Sequence, residues 1–600
     1  MARKNEAQSL PARKMAPPWA LLLAMLPLAM NLLAGCGDSA LQTAEDGAGH
    51  EAAPLLKGWQ ARERPPHRPL AGTRRELVIV ATSDLHGWIT SSTLYPRVRP
   101  GGLAHLGPLI AGLRAEAPGL ILLDGGDTVR GAPNLAYLAR HQPANLPPVL
   151  RLMNRLGYDA MALGNHDLEV GRAALNRWVS QSAFPWLSAN TLRAGGKAFL
   201  PPYRIIERDG LRVAVLGLTT PGTAIWVDAR HLAGLRIGDM LEAARRWVPK
   251  LREVERADVV IGLFHGGLDG WYDRAVALRH GLPLPNASGL IADQGEGFDL
   301  IVSGHSHRFA PRRERNGDSA FAVPVVQPGA RGEGLAVARL RLRAIGRRWR
   351  VEGVTRSTLR AQLAPDPMLM REARGELAAT RAWLAQATEV RFSKLPDRPV
   401  FRRCAGALSH MAALRLGPAA LQPGDLADPA SAARAVSLLP MMWRYVPPRQ
   451  EELGAPVRRA HLHRWMRHGN PLVLARLQPR QAALLLGPFA RHQRGHRARF
   501  SAVLYPGGLR AQMAPGGTEV LRLIREDGSP LSSNGNLPVW LTNYHWNGGG
   551  GLARQALLHP SQFAGRTRVP LRELVFRLLS APRPELPRPC RGFLEIRESR

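Results

Sequence analysis

Six hundred residues exceed what one hydrophobic core can organise, so the chain is expected to hold two domains once its N-terminal region is set aside. Its formal net charge of +34 and pI near 11.4 would draw anionic substrates or acidic surfaces to it, but the basic residues are almost all arginines spread along the chain instead of forming one block. No recognised nucleic-acid module appears, so a specific nucleic-acid partner is not expected.

The N-terminus reads as an export signal. Arg3, Lys4, Arg13 and Lys14 precede an apolar stretch from Trp19 to Leu33, which runs into Leu33-Ala34-Gly35-Cys36. That order is a secretory signal with a lipobox, in which Cys36 carries the lipid and becomes the mature N-terminus. The stretch is short and broken by Pro27 and Asn31, which argues against a transmembrane helix. The expected setting is a membrane-anchored lipoprotein of the periplasm or cell surface. Residues 1–36 are thus signal, and 37–76, rich in Ala, Gly, Pro and charge, are a flexible tether. Once Cys36 is lipidated, Cys404 and Cys590 remain as a pair that an oxidising compartment allows to join. Neither stands in a metal-like cluster.

Five short apolar runs follow, and each ends in a polar motif. They are Leu77–Val80, Leu120–Leu123, Ala160–Leu163, Val259–Phe264 and Leu300–Val302. Near-continuous apolar segments bounded by Gly and polar residues predict strands buried on both faces, with ligands gathered at their carboxyl ends. The motifs in order are Asp84-Leu85-His86, Gly126-Asp127, Gly164-Asn165-His166-Asp167, His265 and Gly304-His305-Ser306-His307. Asp84, His86, Asp127, Asn165, His265, His305 and His307 offer oxygen or imidazole donors and no sulfur. One ion rarely takes seven protein ligands, whereas two ions sharing a carboxylate would use them all. Zn, Mn, Fe and Co suit such donors. His50, His67 and His105 are left as ordinary surface or core histidines.

The ordered segments ATSDLHG, GGDTVRGAP, ALGNHDLEVG, FPWLSANT, IGLFHGG, IVSGHSH and VPVVQPGARGEGLAV resemble the calcineurin-like metallophosphoesterases. Within them the closest resemblance is to the bacterial 5'-nucleotidase and 2',3'-cyclic-nucleotide 2'-phosphodiesterase family. The resemblance implies an α/β fold: a four-layer β-sandwich flanked by helices, then an α+β nucleotide-binding domain. It implies that Asp84, His86 and His307 hold a first metal, Asn165, His265 and His305 a second, and that Asp127 bridges. His166 would be the catalytic imidazole and Asp167 its orienting partner. Two cations about 3.5–4 Å apart lower the pKa of a bridging water toward about 7, so hydroxide attacks phosphorus while the imidazole protonates the leaving alkoxide.

Strand-like stretches at Leu335–Leu342 and Trp349–Val354 close the first domain, placed at 77–356. Met368–Ala385 carries helix formers and reads as a connecting helix within 357–391, leaving 392–600 for the second domain. There Leu537–Tyr544 is a strand-like run that meets Asn547 and four glycines, Gly548–Gly551. The resemblance places one base-stacking ring at Tyr544 and the other platform at His468, where the family usually has Phe or Tyr. Arg449 aligns loosely with a base or ribose contact. The expected reaction is nucleotide hydrolysis, as a 5'-nucleotidase, a 2',3'-cyclic-nucleotide phosphodiesterase or both, for extracytoplasmic nucleotide and phosphate salvage. Alternatives are a thiosulfohydrolase acting on a sulfur carrier protein, as in sulfur-oxidising relatives of the same plan, and a surface-binding lipoprotein without turnover.

Overall fold

A computed structural model describes residues 71–596 apart from internal stretches, the longest being 92–100, 269–280, 311–320, 422–431, 441–449, 487–503, 514–519 and 547–557. The expected signal, with Cys36, and the expected tether up to residue 70 therefore lie outside the described residues, while Arg74–Glu76, assigned to the tether, instead begin the first strand because they pair with Arg341–Arg343. Among the described residues no helix is long and apolar enough to cross a membrane.

All five apolar runs are strands. In chain order the first half forms β1 (Arg74–Thr82), β2 (Ile121–Asp124), β3 (Ala160–Ala162), β4 (Trp186–Leu187), β5 (Thr191–Arg193), β6 (Tyr203–Arg208) and β7 (Leu211–Thr219). It continues with β8 (Leu235–Ile237), β9 (Val259–His265), β10 (Leu300–Ser303), β11 (Phe309–Ala310), β12 (Val325–Pro328), β13 (Gly334–Ile345) and β14 (Arg348–Arg360). Two six-stranded sheets result, ordered β14-β13-β1-β2-β3-β4 and β11-β12-β10-β9-β7-β6, while β5 and β8 pair alone. In the first sheet β1 to β4 run parallel; in the second, β7, β9, β10 and β12 do.

Alternation along the strands sorts their residues into layers. Leu77, Ile79 and Ala81 of β1 and Ile121 and Leu123 of β2 face Val213, Val215, Ile261, Leu263 and Val302 of the second sheet. Val78, Val80, Leu122 and Met161 point the other way, onto helices 103–116, 148–156 and 172–181 through Leu106, Ile110, Leu152 and Trp178. On the far side Ala214, Leu216, Val260 and Ile301 pack against helices 240–253 and 288–294. The outcome is helix, sheet, sheet, helix. Both faces of the central strands are therefore apolar, which is why their sequences read as runs and not as alternations.

Two expectations are adjusted at the end of this half. The last strand continues to Arg360, past the boundary set at 356, because β13 and β14 pair as one long hairpin from Gly334↔Arg360 to Ile345↔Arg348. The connecting segment is two helices, Pro367–Glu372 and Arg374–Ala385, broken at Ala373 and not at Gly375. The Asp366 carboxylate caps the first by accepting from the N–H groups of Met368 and Leu369. The segment then enters strand 387–392, so the boundary set at 391 cuts a strand of the second half.

The second half holds a three-stranded sheet (456–458, 387–392, 594–596) and a five-stranded one (504–507, 436–440, 537–542, 471–477, 563–570). Helix 398–416 lies in its core, where Cys404 is disulfide-bonded to Cys590. The halves meet at Glu573, paired with Arg459 and Arg577 of its own half and, at 3.2 Å, with Arg140 of the first. Trp383 fills the same seam against Tyr137, His141 and His463.

Truncating the fully buried Ile261 to Ala between the sheets should cost about 2–5 kcal/mol, seen as a lower urea midpoint. The same cut at Val254, 74% exposed, should change it by less than about 0.5 kcal/mol. Equal responses would disprove the layer assignment.

Candidate metal centre

Parallel strands bring their carboxyl ends to one edge of the sandwich, and the five motifs form the loops there. Backbone bonds lace the loops together: Asp84 N–H donates to the Gly126 carbonyl at 2.8 Å and His86 N–H to the Asp127 carbonyl at 2.9 Å. Five of the seven candidate donors have left-handed backbones: Asp84 (φ 53°), His86 (49°), Asp127 (58°), His305 (69°) and His307 (58°). A non-glycine residue in that region costs about 1–3 kcal/mol and persists only where its surroundings impose it. Two glycines leave the room this requires. A Cβ at Gly164 would lie 2.2 Å from the Asp127 N and Oδ1 atoms, and one at Gly304 2.2 Å from Ser83 Oγ.

The donors form two groups, Asp84 with His86 and His307, and Asp127 with His265 and His305, the ligand atoms of each lying within 4.8 Å of one another. In the first, His307 Nε2 is 3.0 Å from His86 Nε2 and 3.3 Å from Asp84 Oδ1. In the second, His265 Nε2 is 3.1 Å from Asp127 Oδ2 and 3.2 Å from Asn165 Oδ1. His86 Nδ1 donates to the Arg130 carbonyl at 2.6 Å and His265 Nδ1 to the Gly125 carbonyl at 2.7 Å. Those bonds fix each ring with Nε2 turned into its group, the arrangement in which imidazole serves as a ligand.

A cation fits both groups. Asp84 Oδ1 is buried and has no hydrogen-bond donor, while Oδ2 accepts from Ser83 Oγ at 2.6 Å and from the His305 N–H at 3.0 Å. A buried carboxylate oxygen left in that state needs a positive charge. The electrostatics of the two groups point the same way. Burial would push the Asp84 carboxyl up, but the His307 and His265 imidazoles outweigh it and hold it at about 2. His265 is likewise opposed by burial yet raised to about 10 by the Asp127 carboxylate, whereas burial and neighbouring imidazoles depress His86 and His305 to about 3. A proton between His265 and Asp127 thus supplies charge where a cation would. Oxygen and imidazole donors without sulfur suit Zn, Mn, Fe or Co.

The structure corrects one assignment. Asp167 does not touch the His166 ring; its carboxylate accepts the backbone N–H groups of Asp127 (2.9 Å), Thr128 (2.8 Å), Val129 (3.0 Å) and Gly164 (2.9 Å). The partner of His166 is Glu169, whose Oε1 lies 3.0 Å from His166 Nδ1, with Oε2 held by Arg130 Nε at 2.9 Å. A residue directly after His166 in a helical turn points away from it, whereas the residue three on lies alongside. That spacing was the available signal. Burial disfavours the His166 imidazolium, but Glu169 and Asp127 raise it to about 9. The His166 N–H donates to Asp127 Oδ1 at 2.7 Å, joining the imidazole loop to the second group.

Two further residues were not assigned a role from the sequence, although Gln327 lies in the VPVVQPG segment. Gln327 accepts from Ser306 Oγ at 2.9 Å and donates to the Gly304 carbonyl at 2.8 Å, holding the His305 loop. Trp226, ending the short helix Thr223–Trp226 after β7, stacks on His305. Of the residues assigned to a nucleotide pocket, His468, Arg449 and Asn547 lie outside the described residues. Tyr544 is described only in its backbone, within the one-turn helix Asn543–Trp546 after strand 537–542.

Comparison with known proteins agrees with this geometry. Residues 77–309 match the family described as calcineurin-like phosphoesterase. The chain is 34% identical to a 5'-nucleotidase of Vibrio cholerae over 38% of its own length and 40% of that protein's. It is 27% identical to a 2',3'-cyclic-nucleotide 2'-phosphodiesterase/3'-nucleotidase of Yersinia enterocolitica over 52% of its own length and 51% of that protein's. The matched stretch thus spans about half or less of these curated relatives. A 5'-nucleotidase precursor from Thermus thermophilus shares the fold, with a TM-score of 0.58 at 22% identity over 84% of this chain and 96% of that one. The donor loops, the two stacked sheets and the family match agree: residues 77–309 are similar to the calcineurin-like phosphoesterases in both sequence and arrangement.

Proposed function

We propose that the chain is an exported two-metal phosphoesterase that hydrolyses nucleotides, as a 5'-nucleotidase, a 2',3'-cyclic-nucleotide 2'-phosphodiesterase or both, in extracytoplasmic salvage. The observation that carries this is the pair of neighbouring donor groups, one of them holding Asp127, whose carboxylate also accepts the backbone N–H of His166. The 5'-nucleotidase and cyclic-nucleotide phosphodiesterase relatives supply the substrate class. Export rests on the sequence of residues 1–36, with lipid at Cys36, and the Cys404–Cys590 disulfide supports an oxidising compartment.

Asp84, His86 and His307 are the ligands proposed for one cation, and Asn165, His265 and His305 for the other, with Asp127 shared. Divalent cations in these positions supply positive charge for phosphoryl oxygens and acidify water. The protein's own groups do the rest. Glu169 holds His166 Nδ1, which leaves Nε2 directed outward to protonate a departing alkoxide. Arg130 fixes Glu169 in turn, so the imidazole is oriented before substrate arrives. Asp167 acts on the loop and not on the proton, by keeping Asp127 in its left-handed conformation. The second half, through Tyr544, His468, Arg449 and Asn547, is proposed to hold the base and ribose.

Chelator-treated chain starting after Cys36 should release phosphate from AMP or 2',3'-cyclic AMP only after Mn or Zn is restored; turnover that ignores the chelator would rule out the metal reading, and the ratio of the two rates assigns the subclass. In Asp127→Ala, elemental analysis should find less than one ion per chain, since both groups lose a donor. His166→Ala should keep its metals and lose roughly two to four orders of magnitude in kcat. Glu169→Gln should also keep them and lose about ten- to a hundredfold, whereas Asp167→Ala should lower metal content. A metal-replete, fully active Glu169→Gln enzyme would remove Glu169 from the mechanism.

A further inference from the structure

The four histidines of the two donor groups are not anchored alike. His86 and His265 each donate Nδ1 to a backbone carbonyl, and those bonds set the rotation of the ring. His305 has no ring hydrogen bond of this kind among the described residues, and it sits on a backbone with φ 69°, where nothing intrinsic favours its position. What it has is an indole: the Trp226 ring lies 4.9 Å away, centroid to centroid, at an interplanar angle of 22°. The edge of His265 closes the other approach at 5.2 Å and 73°. Among the described residues, His305 is thus held between a stacked ring and a perpendicular one, and no ring hydrogen bond to a carbonyl sets its rotation.

From this we infer that Trp226 is the positioning residue for the second cation, its indole face taking the part that a carbonyl plays for His86 and His265. The inference rests on the two-ion reading proposed above. Stacking of aromatic rings contributes about 0.5–1.5 kcal/mol beyond the area it buries, and outer partners of ligating histidines typically change metal affinity by about 10–100-fold. A neighbouring residue makes the same point independently. Gly222 has ordinary helical dihedrals (φ −57°, ψ −17°), so its lack of a side chain does not serve backbone conformation. It serves space: a Cβ there would lie 2.3 Å from Cη2 and 2.6 Å from Cζ3 of Trp226. Glycine at 222 lets the indole lie where it covers His305, and alanine would displace it.

The test is metal titration of the chelator-stripped full chain with Mn alone, read by calorimetry and by elemental analysis of the dialysed protein, with no activity measurement. Wild type should bind two ions. Trp226→Ala and Gly222→Ala should each keep one ion at wild-type affinity, which also shows that they fold, and bind the other at least tenfold more weakly. Trp226→Phe, which keeps a ring over His305, should bind both ions within about threefold of wild type. Two ions at unchanged affinity in Trp226→Ala would overturn the inference while leaving the two-ion reading intact. So would an equal loss in Trp226→Phe and Trp226→Ala, since the ring would then not be what matters. A wild-type chain that binds a single ion fails at the earlier step and overturns both.

Discussion

Four backbone N–H groups from two loops converge on the buried carboxylate of Asp167, and the geometry of the candidate site depends on that one interaction. The loops after β2 and β3 are separate in sequence and carry residues whose conformations are unfavourable alone. Asp167 ties them together, because its two oxygens accept from Asp127, Thr128 and Val129 on one side and Gly164 on the other. Its own state shows the tension: burial and the Asp127 charge raise it to about 6, against the N–H groups that favour its ionised form. Charge delivered to the neighbouring donors would relieve that repulsion.

Much of this was legible in the residues. The five apolar runs are strands because parallel strands covered on both faces must be apolar throughout, and their carboxyl ends must meet. Hence the seven candidate donors, which the structure brings together, could be singled out without coordinates. What stayed hidden depends on three-dimensional neighbours. The exchange of Asp167 for Glu169 as partner of His166 follows from helical spacing, and adjacency in sequence misled. Trp226 comes from the short helix after β7 and Gln327 from β12 itself, and nothing local marks them as neighbours of His305. Left-handed dihedrals at Asp84, His86 and His307 likewise have no signature in side-chain type, since they are imposed by the bonds around them.

The second half reads less directly. Among the described residues, its sheets lack the row of buried parallel strands, each ending in a polar motif, that marks the sandwich. The connecting segment illustrates the point: helix formers run from Met368 to Ala385, yet the chain turns at Ala373, whose fully buried side chain packs into the first half's core. Tertiary packing, not propensity, places that break.

The Cys404–Cys590 bond has a consequence beyond rigidity. It joins helix 398–416 to the last turn before strand 594–596 across 186 residues, so it encloses nearly the whole second half in one covalent ring. Any single cut of the backbone between those cysteines leaves both pieces attached. A nick in one of the loops of this half would therefore open the ring without separating the two pieces.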